Sequence, residues 1–340
     1  MRAAGTALAE LDATGAFVRQ PSVFRRIVGQ QDGPPAEAGR YHLIISLACP
    51  WANRCLTTMN LKGLGHAIGL SVVHPTWQPT RPEKPEDTHC GWTFAKPTDP
   101  NMSSPTGHGS FPCDGCIPLP SSLGDLKNVR DLYDLSKSVG QKFTVPVLWD
   151  LKEKVIVNNE SEDIVRMLNS AFNSLAKNPS LDLYPEGLRT QINEVNEWVY
   201  HGINNGVYKC GFASKQATYE QAFKELFAAL DKAEGILTTQ RFLVGGQLTE
   251  ADVRLFQTLI RFDEVYVVYF KTNHKRIQDY PALSCYVRDL FSMPEIARSI
   301  DLRHIKTHYY TSHPILNAYA IIPVGGEAWW TVPCPDRAKV

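Results

Sequence analysis

Cys49 lies where an apolar run meets the start of a helix, and this position is the strongest sign of chemistry in the sequence. The run from Tyr41 to Leu47 is rich in β-formers, Pro50 follows the cysteine, and residues 55–63 have a helical pattern that ends in glycine. Proline is tolerated in a first helical turn because its missing N–H has no intrahelical partner there. The N–H groups and the positive dipole end of such a helix favour thiolate, the nucleophilic form of cysteine. The pattern therefore predicts a working thiol at Cys49.

This thiol is expected to act without a second protein thiol. Ala52 stands where a Cys-x-x-Cys motif would have its second cysteine. A single thiol then needs a small-molecule thiol as its partner in thiol–disulfide exchange. The chain has 8 cysteines, and we expect the others to be buried packing residues, which is the commoner role of cysteine.

Composition excludes several classes of function. The 35 basic residues balance the 35 acidic ones without a basic stripe, so nucleic acid and anionic membranes are poor partners. No apolar run approaches the about 18 residues that a membrane span needs. The amino terminus has no apolar signal core, and Glu10 and Asp12 come early. Eight cysteines in 340 residues do not require disulfides. We therefore expect a cytoplasmic protein of two domains.

The residues around Cys49 predict a parallel strand–helix–strand unit. The β-branched segment Ala67–His74 follows the helical pattern within the spacing of such a unit. Residues 75–122 then have no helical period and contain the pair Cys113 and Cys116. Because the nearby His89, Cys90 and His108 do not complete a regular zinc spacing, we expect a solvated insertion and no metal.

The second half of the predicted sheet begins at a proline. Pro146 inside the apolar run 143–150 fits a strand that starts after a cis Val145–Pro146 bond. Such a bond turns the N–H and C=O groups of Val145 toward an open side of the protein, where they can form hydrogen bonds with the backbone of a ligand.

A helix start follows the returning strand Val155–Val157. Glu160 and Ser161 stand at the beginning of an amphipathic helical pattern. This place suits an anion, because N–H groups and the positive dipole end meet there. N-capping by Ser161 is the alternative, and both can hold together.

Helical periodicity dominates the chain beyond Pro179 and predicts an all-α domain. Thr249 and Asp252 fit a capping box at the start of one of its helices.

Tyrosines are frequent in this helical part of the chain. For any single tyrosine, core packing is the commoner role. Several on different helices would nevertheless build an aromatic pocket with phenol donors. Three stretches are unusually rich in aromatic residues: 204–209, 261–270 and 304–310.

Six sequence segments together resemble one family, the glutathionyl-hydroquinone reductases, which are the Xi class of glutathione transferases. The resemblance extends from about Phe17 to Val324 and implies the glutathione transferase architecture, an α/β thioredoxin-like domain followed by an all-α helical-bundle domain. The segments that carry it are Ser46–Ala52, Val145–Asp150, Asn158–Ser161, Asn204–Tyr208, Thr249–Phe256 and His304–Lys306. The implied bounds are an extension at 1–39, a glutathione-binding domain at 40–170 with its insertion at 75–122, a helical domain at 180–324 and a tail at 325–340.

The resemblance also implies a mechanism and its residues. Cys49 would attack the sulfur of a glutathionyl-hydroquinone, and a second glutathione would then release the resulting mixed disulfide. Tyr208 and Tyr309 would line the quinol pocket and assist the departing ring as catalytic phenols. Glutathione is the implied co-substrate, no metal is implied, and the family forms homodimers. Four residues would bind glutathione: Trp92, Val145, Glu160 and Ser161.

The sequence departs from the family pattern without losing these positions. The departures concern quinol preference and dimer details, and they are Asn53, Cys55, Lys142, Tyr269, the cysteines of the insertion, and Trp329 and Trp330 of the tail. Two other functions stay open. One is glutathione-dependent thiol transfer or dehydroascorbate reduction, and the other is a non-catalytic glutathione-transferase-like module. The tyrosines favour the hydroquinone reaction, because a disulfide substrate needs no aromatic pocket.

Overall fold

The computed structural model describes residues 10–138, 142–326, 328–334 and 337, and the chain divides into two compact units. The first unit contains Gln20–Pro179 and Ile300–Pro323, and the second contains Glu10–Arg19, Ser180–Ser299 and the described residues from Val324 onward. The segment 300–323 thus belongs to the first unit, whereas the sequence placed it with the helical domain. The predicted domain bounds stay a proposal. Parts of the predicted extension and tail lie outside the described residues, namely 1–9, 327, 335, 336 and 338–340.

A four-stranded mixed sheet forms the centre of the first unit. The strands in chain order are β1 Tyr41–Ile45, β2 Gly69–Val72, β3 Gln78–Pro79, β4 Cys90–Gly91, β5 Val147–Asp150 and β6 Val155–Asn158. The sheet order is β2–β1–β5–β6, with β1 parallel to β2 and antiparallel to β5. All residues of β1 and β5 are buried because these two strands lie inside the sheet. This position explains their nearly continuous apolar sequence.

Helices cover this sheet and make up the second unit. In chain order they are α1 Pro50–Lys62, α2 Val129–Leu135, α3 Ser161–Arg166, α4 Arg189–Val199, α5 Gly206–Phe212, α6 Gln216–Thr239, α7 Glu250–Arg261, α8 Val267–Tyr269, α9 Pro281–Phe291, α10 Pro294–Ala297 and α11 Leu302–Thr311. Helix α1 ends at Gly63, whose φ of 64° is the left-handed conformation that glycine adopts easily. The predicted strand–helix–strand unit and the helical second half are confirmed. Within the described residues, no helix is long and apolar enough to cross a membrane.

The insertion at 75–122 faces solvent over much of its length, as expected, because more than half of its residues are exposed, including 82–86 and 106–110. Cys113 and Cys116 are buried and form a small apolar cluster with Ala95. Backbone bridges pair Val72 with Ile117 and tie the insertion to the sheet. This packing is local and leaves most of the loop in contact with solvent. No group of three or more potential metal ligands occurs among the described residues.

In the second unit the tail segment is fastened to the helices. Cys285 in α9 and Cys334 form a disulfide, so the expectation that every cysteine other than Cys49 is a packing thiol is wrong for this pair. Arg337 donates hydrogen bonds to carbonyls just after α6, at Gln240 (2.6 Å) and Arg241 (2.9 Å). Arg337 also donates to the Leu237 carbonyl in the last turn of α6, a group that the helix end leaves without an intrahelical partner.

Candidate active site

Cys49 is the N-cap residue of α1, where the sequence predicted it. Its backbone is extended (φ −80°, ψ 116°), and Pro50 is the first helical residue. The half-buried Cys49 thiol donates to the Val145 carbonyl at an Sγ–O distance of 3.7 Å. The backbone N–H of Asn53 donates to the Cys49 carbonyl at 3.0 Å and closes the first turn. The sulfur therefore lies at the positive end of the helix dipole, beside the backbone of Val145.

Two residues that depart from the family pattern stabilise this arrangement. The Asn53 amide is buried and donates to the Leu47 carbonyl at 2.8 Å, which holds the loop that leads to Cys49. The buried Cys55 thiol donates to the Ser161 carbonyl at 3.7 Å and links α1 to the start of α3. Both side chains therefore hold the backbone of the site in place.

The Val145–Pro146 bond is cis, as predicted. Tyr133 fixes the backbone on both sides of the site, and sequence reasoning missed this role. Its hydroxyl donates to the Thr144 carbonyl at 2.9 Å and accepts from the Asn159 amide at 2.9 Å. Burial raises the pKa of Tyr133, so the hydroxyl keeps its proton. The pattern around Tyr133 indicated only an apolar helix face, because its partners are distant in sequence.

Glu160, and not Ser161, caps α3, so the alternative interpretation of Ser161 as the N-cap is wrong. The Glu160 side chain accepts from the backbone N–H of Glu162 at 3.3 Å and from the Ser22 hydroxyl at 3.0 Å. Ser161 is the first helical residue, and its hydroxyl donates to Glu160 at 3.3 Å. The glutamate is long enough to reach the free N–H groups itself. A carboxylate and a hydroxyl thus lie together at a helix start.

Trp92 and Tyr309 belong to one aromatic cluster in the first unit. We define this aromatic cluster as Trp77, Trp92, His308, Tyr309 and His313. Trp92 stacks on His308 with ring centroids 4.3 Å apart and an interplanar angle of 30°. His308 contacts Tyr309 at 5.4 Å between centroids, and Trp77 contacts Trp92 at 5.6 Å. Both tryptophans are thereby held by rings of α11 and its following turn.

Tyr208 lies in the second unit on α5 and packs in a different aromatic group. Its ring centroid is 5.6 Å from that of Phe270 and 6.2 Å from that of Tyr266. The guanidinium carbon of Arg19 lies 5.3 Å from the centre of the Tyr208 ring. Tyr266 was part of an aromatic stretch in the sequence but was not singled out as a site residue.

Known proteins share both the sequence and the architecture of this chain. Two family profiles match it: "Glutathione S-transferase, N-terminal domain" at residues 48–171 and "Glutathione S-transferase, C-terminal domain" at 216–289. The glutathionyl-hydroquinone reductase YqjG of Escherichia coli is 42% identical over 325 residues, which cover 92% of this chain and 89% of the relative. The crystal structure of the glutathione S-transferase Xi from Phanerochaete chrysosporium is 43% identical with a TM-score of 0.80, covering 95% of this chain and 96% of the other. The chain belongs to the Xi class of glutathione transferases.

The Xi-class fold predicted from the sequence is thus confirmed. The Xi glutathione transferase ECM4 of Saccharomyces cerevisiae, whose crystal structure is a complex with glutathione, is 38% identical with a TM-score of 0.81 and covers 94% of this chain and 99% of its own. In the Xi-class chain described here, a thiol, a cis-proline backbone and a carboxylate at a helix start lie within one unit. The roles of the individual site residues remain predictions.

Proposed function

We propose that this Xi-class protein reduces glutathionyl-hydroquinones to hydroquinones and releases glutathione disulfide. The observation that carries the proposal is the single thiol of Cys49 at a helix N-terminus, 3.7 Å from the Val145 carbonyl beside a cis proline. It stands in a chain 42% identical to a glutathionyl-hydroquinone reductase. This arrangement supplies a nucleophile and a backbone that can hold a peptide thiol next to it.

The reaction has two exchange steps. The Cys49 thiolate attacks the sulfur that joins glutathione to the aromatic ring, so an S–S bond forms and the carbon–sulfur bond breaks. The electron pair of the broken bond goes to the ring carbon, which takes up a proton and leaves as hydroquinone. The thiolate of a second glutathione then attacks the glutathione sulfur of the mixed disulfide and regenerates Cys49.

Glutathione is held by the backbone and side chains of four residues near the helix starts and the cis proline. The backbone of Val145 pairs with the backbone of the tripeptide, and Glu160 and Ser161 bind its γ-glutamyl end. The carboxylate of Glu160 suits the ammonium group of that end, and the N-terminus of α3 suits its carboxylate. Trp92 contributes its ring to the same ligand.

The phenols of Tyr208 and Tyr309 assist the departing ring. A phenol can donate the proton that the ring carbon needs, and it can donate hydrogen bonds to the quinol oxygens. Tyr309 is buried at 2% exposure beside His308, and Tyr208 is buried at 9% on α5.

The test is release of free hydroquinone from a glutathionyl-hydroquinone with excess glutathione. Cys49→Ser should reduce release to the uncatalysed rate, because a hydroxyl at neutral pH does not replace the thiolate nucleophile. Cys55→Ser is the matched control, since it makes the same replacement on the same helix and its hydroxyl can still donate to the Ser161 carbonyl. It should leave release within about threefold of wild type.

Three outcomes decide between the candidate functions. Release that depends on Cys49 supports the reductase, and retained release in Cys49→Ser would overturn the mechanism. Cysteine-dependent reduction of a small glutathione mixed disulfide, without hydroquinone release, would assign the protein to thiol transfer. Glutathione binding without either reaction would indicate a non-catalytic glutathione-transferase-like module.

The family resemblance noted in the sequence implies finer proposals. We further propose that the protein acts in quinone detoxification in the cytoplasm, as a homodimer. Light scattering during size-exclusion chromatography tests the homodimer, because it gives the mass of the particle directly.

A further inference from the structure

Two histidines one turn apart on α11 hold backbone carbonyls of the insertion. The His304 Nε2 lies 2.6 Å from the Asp114 carbonyl oxygen, and the His308 Nδ1 lies 2.9 Å from the Pro75 carbonyl oxygen. A carbonyl oxygen can only accept, so each of these ring nitrogens carries the proton. Residues four apart on a helix lie on the same face, which explains why both histidines meet the insertion.

In the described part of the chain, only one of these two histidines also contacts the tryptophan rings of the aromatic cluster. His308 stacks on Trp92 with centroids 4.3 Å apart, and its ring also meets the edge of Trp77 at 5.3 Å. His304 shares the helix and the type of hydrogen bond but not these ring contacts. Substitutions at the two residues can therefore distinguish an effect on the docking of α11 from an effect on the placement of the Trp92 ring.

Hydrogen bonds at Nδ1 and stacking on Trp92 together hold the His308 ring. Its Nδ1 donates to Pro75 and lies 3.1 Å from the Ser312 hydroxyl. Burial, together with the nearby His313 and His304, lowers the pKa of His308 well below 6.5, while the Pro75 carbonyl acts in the opposite direction. The ring is thus neutral at physiological pH, with its plane set against Trp92.

Ring packing is what holds the neighbouring Trp77 indole. Its Nε1 is buried and has no hydrogen-bond partner among the described residues. The indole contacts Trp92, His308 and His313, with centroids 5.6, 5.3 and 5.3 Å away. A change at His308 is therefore transmitted to both tryptophans.

We propose that His308 is a positioning residue for glutathione binding, which acts by setting the orientation of the Trp92 ring. The hydrogen bond to Pro75 fixes the imidazole, and the stacked imidazole fixes the indole. This inference rests on the proposed function in one respect, the assignment of Trp92 to the glutathione site. His308 does not take part in the exchange of sulfur atoms.

Two variants separate the contacts that His308 makes. His308→Phe keeps an aromatic ring against Trp92 and removes the donor to Pro75, and His308→Asn keeps a donor near the Nδ1 position and removes the ring. Each should raise the dissociation constant of glutathione, measured by titration calorimetry, by about fivefold. The value of kcat at saturating glutathione should change less than about twofold, because the nucleophile is untouched.

His304→Phe is the matched control, because it removes a donor to a loop carbonyl on the same helix face. It should leave the dissociation constant of glutathione within about twofold of wild type. If His304→Phe weakens binding as much as the His308 variants do, His308 serves only to dock α11 and the inference is wrong. Thermal unfolding of every variant identifies any that fail to fold, in which case the other His308 variant carries the test.

A double-mutant cycle with Trp92→Phe gives the decisive measurement. If His308 acts through Trp92, His308→Asn should weaken glutathione binding in the wild-type background and have almost no further effect in Trp92→Phe. Independent effects that multiply would overturn the inference. Calorimetry reads this result even if glutathionyl-hydroquinones are not turned over, so failure of the proposed function and failure of this inference are distinguishable.

Discussion

Glu160 serves two purposes that a single carboxylate can combine. It caps α3 through the N–H of Glu162 and accepts from the Ser22 hydroxyl, which leaves lone pairs on a partly exposed group. A carboxylate has about four acceptor positions, so capping does not exhaust it. The residue can thus stabilise the helix start and still meet the ammonium group of glutathione.

Glu160→Gln should weaken glutathione binding about tenfold, because it removes the charge of a charge-assisted hydrogen bond. The cap should persist, since the amide oxygen can still accept from the N–H of Glu162. Titration calorimetry measures the binding, and Glu162→Gln is the control. Glu162 lies in the same turn but is 3.0 Å from Arg166 in an ion pair. Equal losses in the two variants would contradict a direct contact between Glu160 and the ligand.

At the scale of elements, α7 shows how a fully buried helix begins. Every residue of α7 is buried, so water cannot satisfy its first turn. Asp252 accepts four hydrogen bonds instead, from the N–H of Leu243 (2.9 Å), the N–H and hydroxyl of Thr249 (2.9 and 3.1 Å) and the Tyr286 hydroxyl (3.0 Å). This is the capping box that the sequence predicted, extended by two partners that it did not.

Asp252→Asn should lower the free energy of unfolding by about 3 kcal/mol, because the amide NH₂ would face buried donors that then lack an acceptor. Tyr286→Phe removes one of the four donors, and we expect a loss of about 1 kcal/mol. Urea unfolding followed by circular dichroism measures both. A loss in Asp252→Asn no larger than that in Tyr286→Phe would show that the four bonds do not act together.

Local patterns predicted the elements and failed where partners are distant in sequence. The start of α1 at Cys49 and the cis Val145–Pro146 bond depend on neighbouring residues, so the sequence sufficed. The role of Tyr133 depends on Thr144 and on Asn159, 26 residues away. The contact of His308 with Pro75 spans 233 residues. No periodicity records such contacts, and this is also why the disulfide was missed.

At the scale of the whole molecule, buried histidines of the first unit make stability depend on pH. Burial lowers the pKa of six of them, and it does so to about 4 for three: His42, His89 and His313. In the unfolded chain each returns to about 6.5. Two carboxyl groups of the second unit act in the opposite sense, since burial raises the pKa of Asp252 and of Asp263 to about 6. The other three histidines are His74, His304 and His308.

Acidification from pH 6.5 toward pH 4 should therefore lower the free energy of unfolding. In this range the unfolded chain binds protons at histidines that stay neutral when folded. The contribution of these histidines to the free energy of unfolding is therefore fully present above pH 6.5 and is lost as the pH falls. Each such histidine contributes about 1.4 kcal/mol per pH unit, and six outnumber the two opposing carboxyl groups.

Urea midpoints at pH 7.5, 6.5, 5.5 and 4.5 measure this slope. His42→Asn should make the dependence shallower by about one proton, because the variant has no imidazole to titrate on unfolding. Among the described residues the His42 ring bonds to the Ser71 hydroxyl alone, so little else changes. A midpoint that does not change between pH 6.5 and 4.5 would contradict the assignment of neutral buried histidines.

The interleaving of the two units along the chain has a consequence for synthesis. The first unit needs α11 from the segment 300–323, and the second needs Glu10–Arg19 together with residues as late as Arg337. Domains generally fold as units, the amino-terminal one first, while the ribosome is still adding residues. Here the first unit is not complete until residues 300–323 have been made, and the second is not complete until Arg337 has been made. Until α11 has been made, Trp77 and Trp92 lack the rings that cover them. The nascent protein therefore exposes aromatic surface that chaperones would have to protect.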